Sequence, residues 1–497
     1  MKQYDVIIIG GGLGGLSCGV MLSKEGLNVC ILEQHSVIGG CLQSFKRNGC
    51  ILDTGMHYVG SLSKGQTMHQ YFKYLDVIDG LHLRKLDENG FDYIHFGDGT
   101  KYCHAMGYER FVNTLSSQFP SEEKNLKSFI KKIQNIGDLI SPSILQEGRI
   151  SNGGLEMMSV SAYDEIKKHI NDERLQRVLA GNCTLFAGDK CTTSLYEYGM
   201  ITNSNIEGAY AFEDGSQQLA DLLADKIKEN GGTVLLKSKV SKIILNGSQA
   251  EYVHLLSGER LSAKWVVSSL HPAVTFSMLE NNSIYKKAFF SRINSLPNTY
   301  GIFATYLLVK PNSVKYINQN HYLYNNPDVW SISGDHKGFN IPSTLLCMQP
   351  QYNSEYTKVI TLLSPMPFSL CKQWEDTKLG HRGQDYKEFK EEFSDAVIDF
   401  ASQHFPGLRN NIEKVYTATP LTYRDYTSTP EGSAYGLIKD CRNPMITLMS
   451  ARTRIENLLL TGQNLNIHGC LGTVISSAIT TSEIVGSEYL AKKIGNA

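Results

Sequence analysis

The sequence predicts an α/β protein built on a Rossmann-like dinucleotide-binding domain. Three observations predict it. Val6-Ile7-Ile8-Ile9, after Asp5, is a continuous apolar run, the pattern of a parallel strand buried on both faces. Gly10-Gly11-Gly12-Leu13-Gly14-Gly15 follows directly and places G-x-G-x-x-G at Gly10, Gly12 and Gly15. The 44 glycines, against 14 prolines, gather in such clusters rather than spreading along the 497 residues.

Each element of the first unit has a local reason. An apolar-periodic stretch from about Leu13 to Glu25 reads as a helix, and Gly26 stands where a helix C-terminal glycine belongs. Asn28 to Leu32 makes the second strand and ends at Glu33. Gly10 permits the tight turn, Gly12 lets backbone amides approach a pyrophosphate, and Gly15 lets helix and strand pack closely. The helix N-terminus, at Leu13 and Gly14, favours phosphate charge. Glu33 lies about twenty residues on, where an acidic side chain accepts from ribose hydroxyls and repels a 2′-phosphate. That leaves NAD or FAD.

Composition excludes several other classes. Lys plus Arg total 48 and Asp plus Glu 49, a net charge of −1, which gives no general grip on nucleic acid. An apolar share of 41% is that of a folded protein, and 497 residues predict two to three domains at roughly 100–200 residues each. The longest apolar stretch, Tyr300 to Val309, is far short of the roughly 20 residues a spanning helix needs and reads as a strand. The N-terminus enters a strand at once, leaving no room for a secretory signal. Eleven cysteines, with no C-x-x-C pair and no zinc-ligand spacing, predict scattered thiols in a reducing cytoplasm and no metal site.

Beyond Glu33 and Gln34 the chain continues with Gly39-Gly40-Cys41-Leu42-Gln43-Ser44-Phe45 and Asp53-Thr54-Gly55-Met56-His57-Tyr58-Val59-Gly60. A second glycine pair after the acidic residue resembles two-domain flavoproteins of the glutathione reductase and amine oxidase type. The fuller string resembles the retinol saturase (all-trans-retinol 13,14-reductase) branch of the phytoene desaturase and carotenoid isomerase superfamily; an arginine often follows the glycine pair in relatives, and Cys41 stands there. Asp214-Gly215-Ser216, a helix from about Gln217 to Glu229 and Val240-Ser241-Lys242-Ile243 resemble the superfamily's return to the FAD domain. Strands from Glu251 to Leu256 and Leu261 to Val267 then lead out near Pro272. Thr419-Pro420-Leu421-Thr422 and Gly432 to Gly436 resemble the approach to the active site. Thr461-Gly462-Gln463-Asn464, Gly469, Gly472 and a helix from about Thr473 resemble the second flavin motif, with Asn464 where an aspartate is more usual.

The resemblance implies FAD, held by Gly10, Gly12, Leu13, Gly14, Gly15, Glu33, Gln34, Gly39, Gly40, Cys41, Met56, Val240, Gly462, Asn464, Gly472 and Thr473. It divides the chain into a discontinuous FAD-binding domain, 1–60, 205–284 and 419–497, and an inserted substrate domain of mixed sheet and helices, 61–204 and 285–418, with a helical lid. Tyr71, Phe72 and Tyr74, with Met68 and Leu75, are the lid candidate, or plain helix packing. With no second G-x-G-x-x-G, a dedicated NAD(P)H domain is not expected. The implied reaction is hydride transfer from flavin N5 to a C=C bond of an apolar polyene or isoprenoid, with a proton to the other carbon. His57, Tyr58 and His468 are the candidate catalytic groups; the alternatives are that His57 bonds backbone and Tyr58 fills the cavity wall. Cys41 and Cys470 are expected near the flavin as ordinary thiols. The same motifs leave open a desaturase or isomerase, a flavin amine oxidase, and a non-enzymatic prenyl binder resembling Rab GDP-dissociation inhibitors. Peripheral membrane contact is implied by relatives; the oligomeric state is left open.

Overall fold

The computed structural model describes residues 2–139, 152–331 and 341–497. The strand Lys2–Ile9 is the hub of an eight-stranded sheet. Thr233–Leu235, Val29–Leu32, Lys2–Ile9, Arg260–Ser268 and Leu458–Leu460 run parallel in that order, so pieces from both ends and the middle of the sequence share one sheet. Val6, Ile7 and Ile8 are fully buried, as expected for a strand covered on both faces. Gln249–Leu255 and Val240–Asn246 continue the sheet as an antiparallel meander beside Arg260–Ser268.

The helix Leu13–Lys24 starts at Gly12 and ends before Gly26, which takes φ +77°. A Cβ on Gly15 would lie 2.1 Å from the carbonyl oxygen of Gly10, so only glycine lets this helix rest against the strand that feeds it. The later helix Gly469–Val485 lies against it; Ser477 Oγ donates to Gly14 O at 2.9 Å, and Cys18 and Thr481 touch at 3.3 Å. This second helix begins four residues earlier than Thr473, with Gly469 entering it at φ +74° and Gly472 inside its first turn.

The second sheet has seven strands, in the order Ile412–Ala418, Gly301–Val309, Val359–Met366, Ser343–Met348, Asn320–Tyr324, Asp92–Phe96 and Lys101–His104. The stretch from Tyr300 is indeed a strand, almost wholly buried and second from the edge. All pairings are antiparallel except Asn320–Tyr324 with Asp92–Phe96, which joins the two segments of the inserted region. A separate three-stranded sheet pairs Tyr58–Gly60 and Leu83–Lys85 with Ala209–Phe212. Two of its strands precede, and Ala209–Phe212 follows, the segment that carries Asp92–Phe96 and Lys101–His104.

Of the two readings of the aromatic cluster after Thr67, lid or plain helix packing, its contacts are those of packing. Met68, Tyr71, Phe72 and Leu75 are fully buried and Tyr74 nearly so, in the helix Thr67–Tyr74 and the residue after it. Their apolar face is spent on the core, and none of them borders the cavity described below. All eleven cysteines are free thiols. Among the described residues no helix is long and apolar enough to cross a membrane, and no cluster of ligating side chains could hold a metal.

Candidate active site

One large cavity, about 680 Å³, runs between the two sheets' domains. At one end its wall is mostly backbone. Gly10, Gly39, Gly40 and Gly462 all take positive φ, a region that favours glycine. Gly14 and Gly462 meet so closely that a Cβ on the first would lie 2.9 Å from the second's Cα, and one on Gly40 would lie 3.2 Å from Gly12 Cα. Three segments distant in sequence thus bring bare backbone to one place, with the N-terminus of Leu13–Lys24 aimed into it. Such a cradle fits a dinucleotide pyrophosphate, and side chains would fill it.

Glu33 sits at the edge of this cradle, buried, with Oε2 accepting from Gly11 N at 2.8 Å and Oε1 from His35 N at 2.9 Å. Those bonds fix the carboxylate's direction beside the cavity it lines. Gln34 also lines it and donates from Nε2 to Ser428 Oγ at 3.0 Å, while His35 Nε2 donates to Tyr426 O at 2.7 Å. The segment 426–429 therefore closes over the nucleotide end, a contact that adjacent-residue patterns do not announce. Val240, first residue of its strand, borders the same end. The residues present fit an FAD.

Of the sixteen predicted cofactor residues, fourteen line the cavity; Gly15 and Gly472 do not. Both act one layer back: a Cβ on Gly472 would lie 2.2 Å from Ile467 O, so it shapes the turn into the helix Gly469–Val485. Thr473 lines the cavity, its hydroxyl donating to Gly469 O at 2.7 Å. Asn464, where the resemblance implies an aspartate, also lines the cavity. Its Oδ1 accepts from Leu437 N at 3.0 Å, so that oxygen is committed to holding the 436–437 backbone. Met56 and Cys41 border the cavity, and the Cys470 thiol, pushed up to about 12 by burial, stays neutral there.

The three candidate catalytic groups also reach the cavity, in different states. His57 Nε2 is buried and has no partner, and burial lowers its pKa to about 4, so the ring is neutral at pH 7. The backbone-bonding alternative is thus absent for Nε2. Tyr58 donates to Asp92 Oδ2 at 2.9 Å and is in turn contacted by the Tyr322 hydroxyl at 2.5 Å. Asn320 donates to the other Asp92 oxygen at 3.0 Å, and burial of Asp92 raises its pKa to about 7. The Tyr58 hydroxyl is therefore tied into a buried network. His468 stands immediately before the helix Gly469–Val485; Nε2 donates to Leu437 O at 2.9 Å, and the ring stacks on Tyr435 at 5.6 Å.

The far wall was not foreseen. Leu185, Ile201, Ile302, Leu345 and Leu363 line it, contributed by the inserted region's helices and second sheet. Among the described residues the only carboxylate lining the cavity is Glu33, at the nucleotide end.

Comparison with known proteins gives this geometry a context. The family model described as flavin containing amine oxidoreductase matches residues 13–306. An all-trans-retinol 13,14-reductase of Danio rerio is 25% identical, covering 97% of this chain and 86% of its own. A chloroplastic prolycopene isomerase of an Oncidium hybrid cultivar is 23% identical over 93% of this chain and 80% of its own. Among solved structures, putrescine oxidase bound to putrescine superposes with a TM-score of 0.65 at 14% identity, covering 97% of this chain and 99% of that one, a likeness of fold.

Proposed function

This chain belongs to the family of flavin-containing amine oxidoreductases, and from that premise we propose that it reduces a C=C bond of an apolar polyene or isoprenoid lipid. It is an FAD-dependent oxidoreductase, and the bound cofactor supplies hydride exchange. The chain's own residues do the rest. Gly10, Gly12, Gly14, Gly39, Gly40 and Gly462 leave space for the nucleotide, and Glu33 accepts from its ribose. Leu185, Ile201, Ile302, Leu345 and Leu363 bind a greasy substrate and exclude water from the far half. His57, neutral and unpaired, is a polar group on that apolar wall able to orient the reacting carbon or pass a proton.

The single observation that carries the polyene reading is the far wall, which is aliphatic and without a carboxylate among its described residues. An ammonium substrate would be desolvated there without a counter-charge. The retinol reductase and carotenoid isomerase relatives, matched over nearly the whole chain, support an apolar substrate of that kind. The isomerase likeness favours a second reading, double-bond isomerisation on the same wall. We place the protein in the cytoplasm, touching membranes peripherally to collect its substrate; flotation with liposomes tests that contact.

The experiment is anaerobic incubation of the photoreduced, FAD-loaded protein with a panel of retinoids and carotenoids. Flavin reoxidation with a two-hydrogen mass gain in the product is the expected result. Isomerised product of unchanged mass selects the second reading. Peroxide release from simple amines in air, with no polyene turnover, would sink both.

A further inference from the structure

Behind the helix N-terminus that borders the cavity lies a buried set of ionisable groups that the sequence motifs do not predict. His468 Nδ1 stands 2.7 Å from Glu197 Oε1, off the line of a straight hydrogen bond, with side chains only 1% and 4% exposed. Glu197 comes from the first turn of the helix Leu195–Glu207, whose start is fixed by Ser194 Oγ accepting from Glu197 N at 3.1 Å. Lys439 is buried nearby, its Nζ donating to the carbonyls of Asn464 at 2.5 Å and Leu465 at 3.3 Å. Burial pulls the Lys439 pKa down to about 7, and the charge of Glu197 works against that fall. Glu197 and Lys439 also face a chamber of about 20 Å³ with Tyr196 and Asn466, whose hydroxyl and amide atoms are buried without an aligned partner. That is room for one water.

Proton counting follows from these contacts. Leu437 O can only accept, so His468 Nε2 carries a hydrogen. A bare imidazole nitrogen and a bare carboxylate oxygen at 2.7 Å would repel, so the pair holds one further proton. With that proton on the ring, His468 is an imidazolium and Glu197 its counter-ion. Removing an ion pair of this kind from water costs several kcal/mol per ion, and such investments concentrate at functional sites.

We propose that Glu197 is a positioning residue that keeps His468 protonated on the cavity wall, so that the imidazolium and the N-terminus of Gly469–Val485 together stabilise negative charge on the bound flavin. The groups facing His468 are consistent with this: Glu197 opposes its charge, Tyr435 stacks on its ring, Cys470 stays a neutral thiol, and Lys439 lies beyond Glu197. The inference rests on FAD binding, part of the reading above, and not on the polyene substrate.

Sulfite tests it without turnover. Sulfite sulfur bonds to flavin N5 with its own electron pair, and the added negative charge spreads over N1 and the C2 carbonyl; no electron is lost or gained elsewhere. Bleaching of the flavin's visible band reports the affinity. The FAD-loaded wild type is expected to form the adduct, and Glu197→Gln to weaken it about tenfold while binding FAD equally. Glu197→Asp, which keeps the charge, restores most of the affinity. A second readout is the pH at which the reduced flavin passes from its neutral to its anionic spectrum; Glu197→Gln raises it by about one unit, the same tenfold effect. No adduct in the wild type, or an affinity and transition unchanged in Glu197→Gln, overturns the proposal. If Glu197→Gln does not fold, Glu197→Asp and His468→Gln carry the same titration: a loss in the second that the first does not share supports the charge role, and equal values overturn it. A protein that passes this test yet reduces no polyene refutes only the substrate reading.

Discussion

At one end of the cavity Gly12 meets Gly40 and Gly14 meets Gly462, backbone against backbone; at the other, Ile302, Leu345 and Leu363 come together from three strands of a second sheet. The first end is shaped by what its residues lack, a Cβ, and its chemistry lies in amides and one helix N-terminus. The second is shaped by side-chain bulk. The difference teaches how the two ends tolerate change. A backbone cradle fails at the first added methyl, whereas an aliphatic wall accepts exchange of one apolar side chain for another at modest cost.

The largest effect should come from the first end. Gly15→Val forces atoms into the Gly10 carbonyl, and the purified protein is expected to be colourless with a strongly lowered melting temperature. A yellow, stable variant would show the cradle to be less rigid than its contacts imply. Next, Glu33→Ala removes a fixed acceptor and should weaken FAD binding to the apoprotein by roughly tenfold to a hundredfold, the worth of a hydrogen bond to a charged group; calorimetric titration measures it. Leu345→Gln at the far end should leave FAD affinity unaltered and raise KM for an apolar substrate about tenfold, the scale of losing one buried aliphatic side chain. Equal damage to both affinities would break the distinction between the ends.

The smallest effects are in pH dependence, and the far end itself supplies opposite signs. The pKa of His57 falls to about 4 in the folded chain, below its ordinary value, so its contribution to stability is present above about pH 6.5 and is lost as pH falls toward 4. Buried His95 and His321, lowered to about 4 and about 3, act in the same direction. Asp92 is raised to about 7, so its contribution is present below about pH 4 and is lost as pH rises through 7. Melting temperatures should therefore rise from pH 4 to about 6.5, where the three histidines outweigh Asp92, and level off toward pH 8. Asp92→Asn should steepen the rise between pH 4 and 7, and an unchanged profile would show that the Tyr58–Asp92 network does not titrate.

How much of this was legible in the sequence follows the same division. Gly10, Gly12, Gly15, Gly39 and Gly40 could be read because their chemistry depends on spacing within one strand-turn-helix unit. Leu345 and Leu363 could not, since an apolar residue in a strand looks the same whether it faces a core or a cavity. Asn464 was found, yet the direction of its Oδ1 depends on Leu437, twenty-seven residues earlier and in no shared motif. Glu197 left one faint signal: Ser194-Leu195-Tyr196-Glu197 is a capping-box pattern, and its acidic side chain turns to His468 instead of back to the cap. The aromatic run at Tyr71 to Tyr74 left two readings open because amphipathic helices over a core and over a ligand share one periodicity.

The small sheet at the mouth of the inserted region has a consequence for how such a chain can change. Val59 pairs with Tyr210 and Gly60 with Ala209, so the segment between them, which carries two strands of the second sheet, has its two ends pinned together. The entropy of closing such a segment grows only with the logarithm of its length. Residues can be added to or removed from that span while the first sheet keeps its register, and substrate preference can drift without renegotiating the flavin's seat.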